Sequence, residues 1–309
     1  MASYQQMHLV GVLKTRAEKA RAMMEACCLC PHCCRVNRLA GEVGQCRVAE
    51  QVLVSSYGPH FGEESPLVGR HGSGTIFFTY CNLHCVFCQN HSISQSGEGT
   101  PVNSETLARI MLSLQERGCH NINLVSPTHV VPYILDALDL AASRGLNLPL
   151  VYNSGGYDSP ETLQLLDGIV DIYMPDMKYS DNRTGKKLSG VKDYAKVNRT
   201  AVKEMHRQVG DLLIDEQGIT RRGLLVRHLV LPNGLAGTEQ TMSYLTQEIS
   251  PDTYVNIMAQ YRPCYRADTM PKISRSVNVR EFREAIKLAR SCGIRRLDKD
   301  YALPPLASW

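Results

Sequence analysis

The sequence predicts an α/β protein: a partial (β/α)6 barrel of the TIM type, preceded by a small cysteine-rich extension. Three observations carry that expectation. From about residue 74 onward, short β-branched or aromatic-rich runs alternate with longer amphipathic patterns, and repeated strand–helix units imply a parallel sheet. Six strands can be read, which would make an incomplete barrel open on one side. The first 74 residues break this rhythm: a charged helical lead-in gives way to "CCLCPHCCRVNRLAGEVGQC" and then to a stretch punctuated by Gly, Pro and His. The expected division is therefore 1–74, a Cys-rich extension, and 75–309, the barrel. A doubly wound open sheet is the alternative, because sequence alone does not fix strand order.

The strand candidates are "GTIFFTY" (74–80), "NINLVSP" (121–127), "LPLVYNS" (148–154), "VDIYMPDMK" (170–178), "LLVRHLVLP" (224–232) and "YVNIMAQY" (254–261). Each ends in turn or polar residues. Between and after them, "SETLARIMLSLQERG", "VVPYILDALDLAASRG", "SPETLQLLDG" and "VREFREAIKLARSCG" read as helices that run out on glycine, the residue best suited to end a helix in the left-handed conformation.

Composition narrows the class. Of 309 residues 43% are hydrophobic and 21% charged, and 34 Lys+Arg against 30 Asp+Glu leave a net charge of +4, too mild to argue for nucleic acid. Twelve cysteines are many for this length. Six lie between 27 and 46 and three between 81 and 88, while Cys119, Cys264 and Cys292 stand alone. Short paired spacings in a chain of this size point to metal ligation rather than a disulfide framework. The N-terminus lacks the apolar core of a signal peptide, and no uncharged apolar run nears the ~18 residues of a membrane span. The expectation is a soluble protein of the reducing cytoplasm with no membrane partner.

"TYCNLHCVFCQN" places Cys81, Cys85 and Cys88 as Cx3Cx2C directly after the first barrel strand, and loops after strands build the active face of a barrel. Zinc and ordinary iron–sulfur sites take four protein ligands, whereas fewer leave a coordination position open. Three thiolates thus suggest a cluster with one exposed iron. A fourth ligand, such as His84, His91 or a distant cysteine, would instead close a structural site.

This loop, with Phe87 just before its last cysteine, the surrounding "GSGTIFFTYCNLHCVFCQNHSISQSGEG" and the upstream "CLCPHCCRVNRLAGEVGQC", resembles the radical S-adenosylmethionine enzymes. Within them it looks like the subgroup related to pyruvate formate-lyase activating enzyme. The resemblance implies a 4Fe-4S cluster on Cys81, Cys85 and Cys88 whose open iron is chelated by S-adenosylmethionine, with Phe87 near the adenine. It further implies reductive cleavage to a 5′-deoxyadenosyl radical, an electron donor such as flavodoxin or ferredoxin, and a glycyl radical enzyme as partner. Modification of a peptide, an RNA base or a small metabolite is the same-chemistry alternative. A zinc-bearing nucleic-acid module is the alternative from another class, but "RVNR" and "KTRAEKAR" lack the interleaved aromatics it needs.

Other cofactor contacts can be placed. Asp176 and Lys178, two apart on a strand, point to one face and match an Asp-x-Lys position that the resemblance associates with the cofactor's polar groups; an internal ion pair is the plainer reading. Gln260 shares a strand face with Asn256 and Met258, as a cofactor contact or a structural hydrogen bond. Asn153 precedes Ser154 and two glycines, which permit close backbone approach to a ligand. Ser126 and Thr128 lie in "VSPTH", where the subgroup carries a Gly-Gly-Glu-Pro type motif, and offer hydroxyls in place of its carboxylate. His228 reads as a satisfied core histidine as readily as a ligand. Finally, Cys27, Cys30, Cys34 and Cys46 give Cx2Cx3Cx11C, which could close a zinc site or hold a second iron–sulfur cluster. Cys28 and Cys33 are extras, Cys30-x2-Cys33 is an equally legal pair, and free buried thiols are the metal-free alternative.

Overall fold

A computed structural model describes residues 2–298; residue 1 and residues 299–309, the outer ends of the two expected segments, lie outside it. The strands are β1 (Val52–His60), β2 (Ser73–Phe78), β3 (Thr100–Val102), β4 (Ile122–Val125), β5 (Leu150–Ser154), β6 (Ile172–Pro175), β7 (Leu213–Ile214), β8 (Thr220–Leu229), β9 (Tyr254–Met258) and β10 (Arg296–Leu297). Their order is β10-β9-β8-β6-β5-β4-β2-β1-β3, with β7 pairing off this path to β8. The six expected strands, β2, β4, β5, β6, β8 and β9, pair parallel and in chain order.

That order settles the architecture. A doubly wound sheet reverses its strand order at a switch point, and there is no reversal across these six strands. Right-handed crossovers running one way put the connecting helices on one side, as in a barrel, and the sheet ends at β10 and β3 rather than closing. β5 and β6 are buried along their whole length, as parallel strands covered on both faces must be. Local signals start the helices. Asn103 caps Ser104–Glu116 by accepting from Thr106 N–H, and Asn278 with Glu281 forms a capping box on Val279–Ser291.

The expected helical lead-in forms helices Ser3–Leu9 and Val12–Ala22, which bury Tyr4, Leu13 and Ala17 in one core with Ile134, Leu138 and Leu163 of the barrel. Two other parts of the fold depart from the sequence reading. β1 continues the sheet by antiparallel pairing with β2. Gly58 and Pro59, from the stretch punctuated by Gly, Pro and His, lie within this strand; β3 covers only Val52–Val54, so Pro59 lies where no partner needs its missing N–H. Helices Asn182–Ser189 and Tyr194–Val209 were also not foreseen; they fill the link between β6 and β8.

His228 is a satisfied core histidine, its Nδ1 2.7 Å from the Met177 carbonyl oxygen and its Nε2 3.0 Å from Thr238 Oγ1. Burial pushes its pKa, and that of buried His129, down to about 4. Because the folded values lie below the unfolded value of about 6.5, the unfolded state binds more protons between these pH values. The stability is therefore complete above about pH 6.5 and is lost as pH falls towards 4. Each ring accounts for on the order of 3 kcal/mol of this loss. Urea midpoints measured from pH 7 to 4.5 should fall steeply, and His228→Gln should flatten the slope; an unchanged slope would contradict the assignment.

Candidate active site

The loop after β2 turns sharply at Tyr80, a non-glycine residue at φ 67°, where L side chains are strained. Its N–H donates to the Ile93 carbonyl at 3.1 Å. The loop then pairs with the end of helix Asn182–Ser189, through His84 N–H to Ser189 O at 3.1 Å and Val86 N–H to Leu188 O at 2.9 Å. Each sulfur has a polar neighbour: Leu83 N–H is 3.4 Å from Cys81 Sγ, Ser189 Oγ 2.9 Å from Cys85 Sγ, and Ser94 Oγ 3.1 Å from Cys88 Sγ. Burial pushes the Cys81 thiol up to about 12 and raises Cys85 as well. As free thiols they hold their protons, so loading a metal on them releases protons.

The three cysteines line one cavity of about 170 Å3 with Ser126, Asn153, Ser154, Asp176, Lys178 and Arg227. The lining combines thiols with charged and hydroxylic groups. Asp176 lies between two cations, Lys178 Nζ and Arg227, whose Nε donates to Asp176 Oδ1 at 2.8 Å. Burial opposes ionisation of Asp176, but Arg227 and Lys178 outweigh it and hold the carboxyl below its usual range. Burial likewise opposes the Lys178 charge, and Asp176 outweighs it and raises the ammonium. Arg227 also donates through Nη2 to Asn153 Oδ1 at 2.8 Å, which ties β5, β6 and β8 together at their C-terminal ends. Ser126 lines the cavity at φ 57°, a second strained residue at a strand end.

Of the sequence candidates, Cys81, Cys85, Cys88, Ser126, Asn153, Asp176 and Lys178 meet here. Three do not line the cavity. Phe87 packs edge-on against Tyr179 and Tyr261, with ring centroids 6.4 and 5.6 Å away, because the loop turns it into an aromatic cluster. Thr128 commits its hydroxyl to buried Asp158 at 2.6 Å, alongside Tyr152 and Ser154. Gln260 falls beyond the end of β9 and is exposed, its carbonyl accepting from Gln89 Nε2 at 3.1 Å. The two glycines serve protein packing: a Cβ on Gly156 would lie 2.2 Å from the Asp176 carbonyl oxygen, and one on Gly155 2.7 Å from Leu83 Cδ1.

Arg227 escaped the sequence reading. Its strand alternates Arg227 with Leu225 and Leu229 on one face and His228 with Val226 and Val230 on the other, so alternation did not say which face looked inward. The unpaired cation in an apolar strand was the available signal.

The donor set suits a cluster with an open position, in that no fourth cysteine lines the cavity and hydroxyl and N–H groups stand beside the sulfurs to stabilise thiolate charge, while among the described residues these thiols do not stand at the spacing of ligands to one ion. The lining cations and carboxylate suit a zwitterionic ligand.

A family model described as the radical SAM superfamily matches residues 75–214. An uncharacterized protein of Methanocaldococcus jannaschii is 35% identical over 289 residues, covering 90% of this chain and 78% of its own. Among solved structures, SuiB of Streptococcus suis bound to S-adenosylmethionine is similar over 69% of this chain and 45% of its own, at 14% identity and a TM-score of 0.47. A radical SAM methyltransferase from Sphaerobacter thermophilus covers 72% of this chain and 64% of its own, at 13% identity and a TM-score of 0.46. The chain spans less than half the length of SuiB.

Proposed function

This chain belongs to the radical S-adenosylmethionine superfamily, and on that premise we propose that it is an enzyme that reductively cleaves S-adenosylmethionine and abstracts hydrogen from a partner protein. When bound, a 4Fe-4S cluster supplies one electron that breaks the sulfonium bond, leaving methionine and a 5′-deoxyadenosyl radical. Cys81, Cys85 and Cys88 would hold it. Lys178 and Arg227 offer positive charge to the cosubstrate's carboxylate, and Asp176 and Ser126 offer oxygens to its amino group. Buried Phe78 and Leu83, with half-buried Phe77, add an apolar part to the lining that limits water at the reacting centre.

The observation that carries this reading is the convergence of three cysteines with Asp176, Lys178 and Arg227 on one cavity. The cysteine motifs support the finer proposal: hydrogen leaves a glycine Cα of a glycyl radical enzyme, with a flavodoxin or ferredoxin as electron donor in the reducing cytoplasm. Among the described residues no helix is long and apolar enough to cross a membrane.

Loaded anaerobically and reduced with dithionite, the protein should release 5′-deoxyadenosine and methionine in equal amounts, read by mass spectrometry. A loaded, reduced protein that releases neither contradicts the proposal. Deuterium carried from a Cα-labelled glycine of the partner into 5′-deoxyadenosine tests the glycyl step separately.

A further inference from the structure

Beneath the cluster loop, residues 27–48 fold as a hairpin and two turns that gather cysteines. Cys27 pairs with the returning chain, its N–H donating to Val36 O at 3.0 Å and its carbonyl accepting from Arg35 N–H at 3.0 Å. Cys30 opens a turn closed by Cys33 N–H to Cys30 O at 2.9 Å. Cys34 reaches the turn that carries Cys46: Gln45 N–H is 3.4 Å from Cys34 Sγ, and a Cβ on Gly44 would lie 2.8 Å from that sulfur. A disulfide joins Cys28 to Cys33, which removes the competing Cys30-x2-Cys33 pair. The four that remain, Cys27, Cys30, Cys34 and Cys46, carry free thiols, and all but Cys34 are buried.

Two further features point to a ligand. Cys30 stands within electrostatic reach of Cys27, Cys34 and Cys46, and burial raises the Cys30 and Cys46 thiols against the opposing effect of the backbone N–H groups of His32 and Val48, two residues downstream. Such donors stabilise thiolate rather than thiol. The second feature is Arg38. It is fully buried; its guanidinium donates to the carbonyls of Ala49 and His129 at 3.2 and 2.8 Å, and Nη2 has no partner. Arg38 acts electrostatically on Cys46. A buried cation held by carbonyls alone is costly, whereas four thiolates around a divalent ion carry a net charge of −2 and would compensate it.

We propose that Cys27, Cys30, Cys34 and Cys46 form a second metal site, closed by four thiolates, that anchors the cluster loop. The anchoring is visible in the contacts from the two turns. His32 Nε2 is 2.8 Å from the Asn82 carbonyl, Gln45 O 3.1 Å from His84 Nε2, and Arg47 Nη1 2.8 Å from the Gln95 carbonyl. Among the described residues no three His, Cys, Asp or Glu side chains yet stand at the spacing of ligands to one ion, so loading requires the thiols to rotate inward. The shared chemistry is a tetrathiolate shell, around either a single zinc or a four-iron cluster.

The proposal is independent of radical chemistry and is tested in a chain that cannot perform it. The full-length Cys81→Ala/Cys85→Ala/Cys88→Ala variant, purified anaerobically, should retain about one zinc, or about four iron with four sulfide; elemental analysis separates the two. Adding Cys30→Ser and Cys46→Ser should reduce either to background. Should the added substitutions prevent folding, cobalt titration of the demetallated triple variant should give the absorption of a tetrathiolate site at one equivalent. A folded triple variant that holds no metal and takes up no cobalt overturns the proposal.

Discussion

Replacing Cys85 with alanine should lower S-adenosylmethionine cleavage by about a thousandfold or more, equivalent to about 4 kcal/mol on the barrier. Cys85 is buried in the loop, with its sulfur 2.9 Å from Ser189 Oγ, and lines the cavity that Lys178 also lines. No other cysteine besides Cys81 and Cys88 lines the cavity to replace it. The measurement is 5′-deoxyadenosine formed per chain under dithionite. Cys119→Ala is the matching control, since Cys119 is buried in the main core and outside the cavity. A Cys85→Ala protein that turns over like the unaltered chain would remove the loop from the mechanism.

The second large effect is on stability. Arg227→Met deletes the hydrogen bonds to Asp176 and Asn153 and the ion pair with buried Glu64, and leaves Asp176 with only Lys178 for charge compensation. Breaking such a pair costs about 3 kcal/mol, read as a lower urea midpoint at unchanged slope. Asp176→Asn in the same chain should restore part of the loss, because one stranded charge is then gone while buried Glu64, 4.0 Å from Arg227 in the unaltered chain, remains. Strict additivity of the two substitutions would show that they do not interact. Cosubstrate binding should weaken in both single variants, since Arg227 and Asp176 share the cavity wall.

Much of the site was legible because its information is local. Cys81, Cys85 and Cys88 fall within one turn-rich loop, and Asp176 and Lys178 lie two apart just past the end of β6, where a strand-end reading places both at the cavity. Asn153 and Ser126 were legible as polar residues at strand ends. Phe87, Thr128 and Gln260 were misplaced for the opposite reason. Whether a side chain on such a loop or strand end turns to the cavity depends on what packs beside it: Tyr179 and Tyr261 draw Phe87 away, and Asp158 takes the Thr128 hydroxyl.

By itself the sequence determined the class of fold, its six parallel strands and the three-cysteine loop, because hydrophobic period, glycine stops and ligand spacing act over short stretches of chain. Only the tertiary structure decided that these strands wind one way without reversal, that β1 extends the sheet, and that Arg227 faces Asp176 and Asn153. Those outcomes depend on strand order and register, in which the bridge between Asp176 and Arg227 joins residues distant in sequence. A one-residue slip in that register would turn Arg227 out of the cavity.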